Sequence, residues 1–305
     1  MVSAIGRALL AVTDRSVVRS LFTETGLGRG LATRFVAGET LDDAERVARE
    51  LNTAGFRVSL DHLGEHVTEL DQALRARNDY LACLDRIARD GLDANISIKL
   101  TQLGLGIDDA IAEASLDALA VRAAEVGTSV TIDMEESRHT EATIALYERV
   151  QRRRRNVGIA VQACLRRTRD DLDRIMPLDG HIRLCKGAYA EPEGIAYQGR
   201  GEVDASFDRL ATLLMGDDSV RPAIASHDEE RIANARRGAA GRGGYHEYQM
   251  LYGVRTEMQR RLLAEGLRVR IYVPYGSAWY PYLTRRMAER PANLWFFLRA
   301  ASARR

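Results

Sequence analysis

Cysteine is scarce, with three in 305 residues: Cys83, Cys164 and Cys185. An odd number scattered this widely makes neither a disulfide framework nor a zinc-ligand pattern, and it predicts a reducing, cytoplasmic compartment. Net charge is almost lacking as well, because 44 Lys and Arg oppose 43 Asp and Glu. No global attraction to nucleic acid or anionic lipid follows, so a charged partner has to be met locally. No apolar run approaches the length of a membrane span. The short one at Ala8 to Val12 is broken soon afterwards by Asp14 and Arg15, which predicts neither a secretory leader nor an integral membrane segment. Also missing is a Gly-x-Gly-x-x-Gly that opens a helix after a first strand. Gly26, Gly28 and Gly30 precede every predicted strand, so they read as a loop and not as a Rossmann dinucleotide site.

What is present is a repeating alternation. Residues 41–53 have helical spacing with many charges, and residues 56–61 are a short run rich in β-formers that ends on Asp61. Comparable apolar runs at 94–99, 129–133, 158–162, 181–185, 222–227 and 269–273 are separated by amphipathic stretches. A polar eighth strand at 245–250 follows the glycine cluster 241–244. Buried strands alternating strictly with helices predict a parallel sheet with helices outside, and eight such units fit an α/β, TIM-like (β/α)8 barrel. The predicted organisation is one domain: an N-terminal helical segment at 1–54, a barrel at 55–290 and a C-terminal tail at 291–305.

The polar residues at the strand ends carry the chemistry. Asp61, Lys99, Asp133, Gln162, Arg183 with Lys186, His227, Glu247 or Gln249, and Tyr272 would converge on one mouth of a closed barrel, where barrel enzymes place their catalytic groups. One charged residue after a strand usually just begins a loop, but so many together point to an active site. Lys99 and Asp133 on neighbouring strands are placed to pair, structurally or catalytically. Gly187 and Ala188 are small enough for a flat or phosphorylated ligand to approach the backbone. Tyr282, Arg285, Arg286 and Glu289 fall at i, i+3, i+4 and i+7, either a solvated ion-paired helix face or a carboxylate clamp. Arg152 to Arg155 read as a solvated helix end that complements the helix dipole.

Five ordered segments resemble the proline dehydrogenase family: 95–100 (NISIKL), 131–136 (TIDMEE), 183–189 (RLCKGAY), 270–276 (RIYVPYG) and 282–289 (YLTRRMAE). The resemblance runs from Arg34 to Phe297, and with no aldehyde dehydrogenase segment following it is to the monofunctional bacterial form. It implies a distorted barrel holding FAD noncovalently, with the last helix over the mouth. By the same resemblance, Lys99, Arg285 and Arg286 bind the proline carboxylate and Glu289 orients them. Tyr189, Leu251, Tyr272 and Tyr282 wall in the ring, and Asp133 is the carboxylate near the substrate. Arg183 and Gln162 hydrogen-bond the isoalloxazine, while Met134, Lys186, Gly187, Ala188, Ser226 and His227 make other FAD contacts. Ala190 stands where many relatives have Trp, and Asp228 where Asn is frequent, both towards the adenine end. The implied reaction is oxidation of L-proline to Δ1-pyrroline-5-carboxylate, with electrons passed to a membrane quinone through peripheral contact with the inner membrane. A separate pyrroline-5-carboxylate dehydrogenase would take the product to glutamate. The bulk of Tyr272 favours proline over hydroxyproline.

Two other readings stay open. His62-Leu-Gly-Glu-His66 spells the H-x-x-E-H of one zinc-protease class, with His62, Glu65 and His66 as the active set, but that class needs a helix and Gly64 opposes one. The family resemblance itself implies no metal. Leu294-Trp-Phe-Phe-Leu298, followed by Arg299, Arg304 and Arg305, would suit a noncatalytic membrane-docking module or ordinary packing on the barrel.

Overall fold

Alternation along each strand decides the architecture. The computed structural model describes residues 33–64 and 67–289, with side chains as far as 284. Eight parallel strands close into a barrel in sequence order, β1 Arg57–His62, β2 Ala94–Ile98, β3 Val130–Ile132, β4 Val157–Gln162, β5 His181–Cys185, β6 Arg221–Ala225, β7 Glu247–Leu251 and β8 Val269–Tyr275. All eight predicted strands form. β6 stops before Ser226 and His227, which instead begin the following loop, and β8 runs two residues longer than predicted.

Outward positions such as Leu60, Ile96, Ile98, Ile132, Ile159, Ile182, Leu184, Ile224, Ile271 and Val273 are fully buried and form the core between sheet and helices. Inward positions one residue away are polar: Ser59, Asp61, Asn95, Ser97, Thr131, Arg183, Glu247, Gln249 and Arg270 are also buried. The lumen is therefore a hydrogen-bonded interior, unlike the branched apolar layers that usually fill such barrels. The facing registers on β4 and β6 hold the small residues Gly158, Ala160, Ala223 and Ala225, so that wall leaves room for a long side chain to cross.

The helices follow from caps and stripes. Helix α1, Leu41–Thr53, opens on a capping box in which the Asp43 N–H donates to Thr40 Oγ1 at 3.2 Å and the Thr40 N–H donates to Asp43 Oδ2 at 3.1 Å. Helix α2, Leu70–Asp90, buries Ala73, Ala76, Tyr80, Cys83, Leu84 and Ile87 at helical spacing and ends on left-handed Gly91. Helices α3 Asp109–Glu125, α4 Ser137–Arg154, α5 Thr168–Ile175, α6 Arg200–Gly216, α7 Glu229–Gly238 and α8 Thr256–Ala264 complete the outer ring. The basic run at the end of α4 sits in its last turn, and Arg153 and Arg154 also pair with Glu113 and Asp117 of α3 at 2.8 and 2.6 Å.

Helix α9, Trp279–Glu289, follows β8 directly. Its Trp279, Tyr280, Tyr282 and Leu283 pack with Phe35, Val36 and Leu63, and with Val254. Leu63 follows β1 and Val254 follows β7, so α9 lies at the C-terminal end of the barrel. Residues 34–39 strap it there. The Ala37 N–H donates to Pro274 O at 2.9 Å, the Gly276 N–H to Gly38 O at 3.0 Å, and Trp279 Nε1 to Glu39 Oε1 at 3.0 Å. A Cβ on Gly253, whose φ is +71°, would meet the Arg34 carbonyl oxygen at 1.7 Å, so the strap passes where only glycine leaves space. The predicted N-terminal segment before residue 33 and the tail at 291–305 lie outside the described residues. Among the described residues no helix is long and apolar enough to cross a membrane.

Candidate active site

Four predicted site residues meet at the upper lumen. Lys99 follows β2, and its Nζ lies 3.4 Å from Asp133 Oδ2 and 2.9 Å from Asp61 Oδ1. Arg183, in the middle of β5, extends across the barrel. It pairs with Asp133 and donates to Ser97 Oγ on β2 at 2.8 Å, and its Nε donates to Gln249 on β7. The guanidinium lies 5.3 Å from the centre of the Tyr272 ring, and the Tyr272 hydroxyl donates to Asp133 Oδ2 at 2.6 Å. Ser97 Oγ also donates to Asp133 Oδ1 at 2.8 Å.

Groups from β2, β5 and β8 thus surround one carboxylate, with a second carboxylate on β1 close by, and the two acids respond differently. Burial alone would raise Asp133, but Lys99 and Arg183, with hydrogen bonds from Tyr272 and Ser97, hold it below the usual carboxylate range. Burial pushes Asp61 up in spite of Lys99, and the Asp133 charge adds to the rise. Burial, and then the Asp133 charge, raise the Tyr272 hydroxyl well above its ordinary value, so it remains a donor. Lys99 and Arg183 both face Asp133, and Lys99 also pairs with Asp61.

Other predicted residues fall around this centre. Gln162 Nε2 donates to Met134 O and Glu135 O at 3.3 and 2.8 Å, tying β4 to the loop after β3. Gly187 has φ +107°, and a Cβ there would lie 2.3 Å from Cys164 Sγ and 2.9 Å from Gln162 Oε1. This cradle after β5 therefore excludes any side chain. Ala188 and Tyr189 are half-buried in the same loop. Lys186 is held between Asp204 and Asp228, the latter at 2.9 Å. Ser226 Oγ accepts from the Asp228 N–H at 3.1 Å, and His227 Nε2 accepts from the Leu251 N–H at 2.9 Å. Tyr282 is buried in the α9 cluster. Arg285, Arg286 and Glu289 belong to α9, but their side chains lie outside the described part.

Two expectations need correcting. Glu247 is not at the mouth, because it is the first residue of β7 and sits on the opposite floor of the barrel. There it pairs with Arg270 at 2.8 Å and accepts from Tyr245. His62 closes β1, its ring 5.1 Å from that of Tyr275, and residues 63 and 64 are loop. The helix that a zinc spelling requires does not form there, while Glu65 and His66 lie outside the described residues. Ser59, Ser97 and Gln249 are lumen residues that the sequence reading leaves out of the site or places only loosely. Their signal is the two-residue spacing from Asp61, Lys99 and Leu251.

The floor also predicts acid lability. Burial pushes His181 down to about 4, against the pull of Glu247 and with Arg270, Arg183 and Arg221 adding to the fall. The folded protein thus refuses a proton that the unfolded chain accepts below about pH 6.5. Stability from this group is complete above that pH and is lost as pH falls towards 4, by about 2–3 kcal/mol at pH 4.5. Chemical denaturation of wild type and His181→Gln at pH 7 and 4.5 measures it, and equal losses in both proteins would contradict the assignment.

Residues 44–299 match the family model described as proline dehydrogenase. Over 271 residues the chain is 35% identical to proline dehydrogenase 1 of Bacillus subtilis subsp. natto, covering 88% of this chain and 89% of that protein. Over 298 residues it is 32% identical to the proline dehydrogenase of Deinococcus radiodurans, covering 95% of each. A crystal structure of proline utilization A (PutA) from Bdellovibrio bacteriovorus inactivated by N-propargylglycine superposes with a TM-score of 0.80 at 26% identity. That match covers 85% of this chain and 32% of the PutA chain, so this chain spans about a third of that larger protein.

Proposed function

The chain belongs to the proline dehydrogenase family, and from that premise we propose that it oxidises L-proline to Δ1-pyrroline-5-carboxylate with FAD as acceptor. A membrane quinone takes the electrons onward, and a separate dehydrogenase consumes the product. The observation that carries this reading is the buried Lys99–Asp133–Arg183–Tyr272 cluster, an ion-paired, hydrogen-bonded lumen beneath a helix bearing two more arginines.

The residues fit a flavin. Arg183 offers a buried guanidinium and Gln162 an amide, groups suited to the carbonyls and ring nitrogens of an isoalloxazine. The bare backbone at Gly187 lets the loop after β5 pack directly on Cys164 and Gln162, which holds that loop beside the Gln162 amide. Met134, Lys186, Ala188, Ser226 and His227 extend this surface around the loops after β3, β5 and β6. FAD, when bound, supplies two-electron acceptance that no side chain has.

The remaining work is positioning. Lys99, Arg285 and Arg286 neutralise and orient the substrate carboxylate, with Glu289 steadying them. Tyr189, Leu251, Tyr272 and Tyr282 enclose the ring, and Tyr272 crowds the place of a 4-hydroxyl group, so proline is preferred over hydroxyproline. Oxidation removes a hydride from C5 and a proton from the ring nitrogen, leaving a C5=N double bond. Asp133, kept ionised by its two cations, fixes the donors around that centre.

The test is an anaerobic absorbance spectrum of the purified protein, reconstituted with FAD if needed, before and after L-proline. Flavin bands that bleach are expected. N-propargylglycine, which inactivated the Bdellovibrio PutA, should abolish that bleaching irreversibly. A protein that neither binds FAD nor responds to proline would overturn the proposal.

A further inference from the structure

Gln249 lies in the lumen between two groups that each accept only one kind of partner. It is 3% exposed, and its neighbours Glu247 and Arg183 are 0% and 5% exposed. Gln249 Nε2 donates to Glu247 Oε1 at 2.6 Å, and Gln249 Oε1 accepts from Arg183 Nε. A carboxylate has no proton to offer and a guanidinium has no lone pair to offer. The amide can therefore point only one way: nitrogen down to the floor, oxygen up to the arginine.

Glu247 is itself fixed. Arg270 Nε donates to its Oε1 at 2.8 Å, Tyr245 donates to its Oε2, and Arg57 Nη1 donates to the Tyr245 hydroxyl at 2.6 Å. Arg270 in turn donates to Val58 O at 2.7 Å on the adjacent strand. Burial would raise Glu247, but Arg270 and His181 hold it far below the usual carboxylate range, so its acceptor character persists. Arg183 hangs from this anchored amide at Nε, while its Nη1 faces Ser97 and Asp133. A guanidinium is planar, so fixing Nε and Nη1 fixes the whole plane.

We propose that Gln249 is a positioning residue, a polarised amide that relays the fixed orientation of Glu247 at the barrel floor to the Arg183 guanidinium at the flavin-facing centre. The inference rests on the functional reading above, in which Arg183 stands beside the flavin. It adds a residue that touches neither substrate nor cofactor yet sets the geometry of the cation that does.

Polarity makes the test specific. Gln249→Leu removes both bonds. Gln249→Glu places two carboxylates together on the floor side. Glu247 Oε1 accepts from both Gln249 and Arg270, so an exchange of amide and carboxylate between the two positions cannot keep both bonds, and the single variants carry the test. The full chain is purified with FAD, and five quantities are read: proline bleaching of the wild type, FAD dissociation constant, flavin reduction potential, kcat and proline KM.

Gln249→Leu and Gln249→Glu are expected to lower kcat by tenfold or more with little change in proline KM. They should also weaken the preference for reduced over oxidised flavin about tenfold, a fall of about 30 mV for a two-electron couple. If the wild type bleaches while Gln249→Leu keeps wild-type potential and kcat, Gln249 has no positioning role. A Gln249→Glu protein that folds and keeps wild-type potential and kcat would likewise defeat orientation by polarity. A wild type that fails to bind FAD or bleach would defeat the functional reading instead, so the two failures are separable.

Discussion

Arg183→Met is expected to slow proline-dependent flavin reduction by about 100- to 1000-fold, the scale seen when one preorganised donor is removed from a charge-stabilising site. The side chain reaches across the lumen, with contacts to Ser97, Asp133 and Gln249 and with Tyr272 beside its guanidinium. Methionine fills similar space but offers no donor. Asp133 would keep Lys99 as its one described cationic partner, its pKa would rise, and the lumen would lose the charge that suits reduced flavin. Lysine is expected to rescue poorly, because one ammonium cannot reach three separated acceptors as a planar fork does. Rapid-mixing measurement of flavin bleaching, with FAD content determined on the same samples, checks this. Wild-type rates in a fully loaded Arg183→Met protein would remove Arg183 from the chemistry.

The second large effect concerns stability. Glu247→Ala strands Arg270 in the barrel floor without its carboxylate, and breaking a buried pair from one side costs about 3–5 kcal/mol. For a chain of this size that corresponds to a fall in Tm of roughly 5–10 °C. The cost should not be additive. Removing both partners, as in Glu247→Ala with Arg270→Met, leaves no stranded charge, and the double variant is expected to be more stable than Glu247→Ala alone. Thermal melts of wild type and the two variants decide it. A single variant within about 1 °C of wild type would mean that the floor pair contributes nothing.

The contrast between these two sites shows what is legible in the sequence. β2, β4 and β8 stand out because runs such as Ile96 to Ile98 and Ile271 to Val273 place β-branched residues against the helices. β7 gives the weakest signal of the eight because Glu247 and Gln249 alternate with Tyr248 and Met250, so half of it is polar. That polarity belongs to the lumen side and not to a turn. Lys99, Asp133, Arg183 and Tyr272 are legible as a site because charged or polar groups recur at strand ends. Which end of the barrel a polar residue occupies depends on where each strand begins, a boundary that periodicity defines poorly, and Glu247 is misplaced for that reason. Ser59 and Ser97 are small hydroxyls that gain meaning only from the charges facing them across the lumen. The strap at 34–39 has no periodicity, and its one local trace is Gly253, far away in sequence.

The seam of the barrel sets the order of assembly. β1 pairs with β8 through a ladder from Arg57↔Arg270 to His62↔Tyr275, so the first barrel strand to leave a ribosome waits for the last before its second edge is covered. Until then the nascent sheet is open at β1, with buried charges such as Asp61 lacking the enclosure that tolerates them. Ring closure, strap docking and seating of α9 all depend on the same late-arriving stretch from β8 to Leu283. Chains stopped short of β8 should therefore present an unpaired strand edge to one another and associate, making completion of synthesis the step that commits this protein to its closed fold.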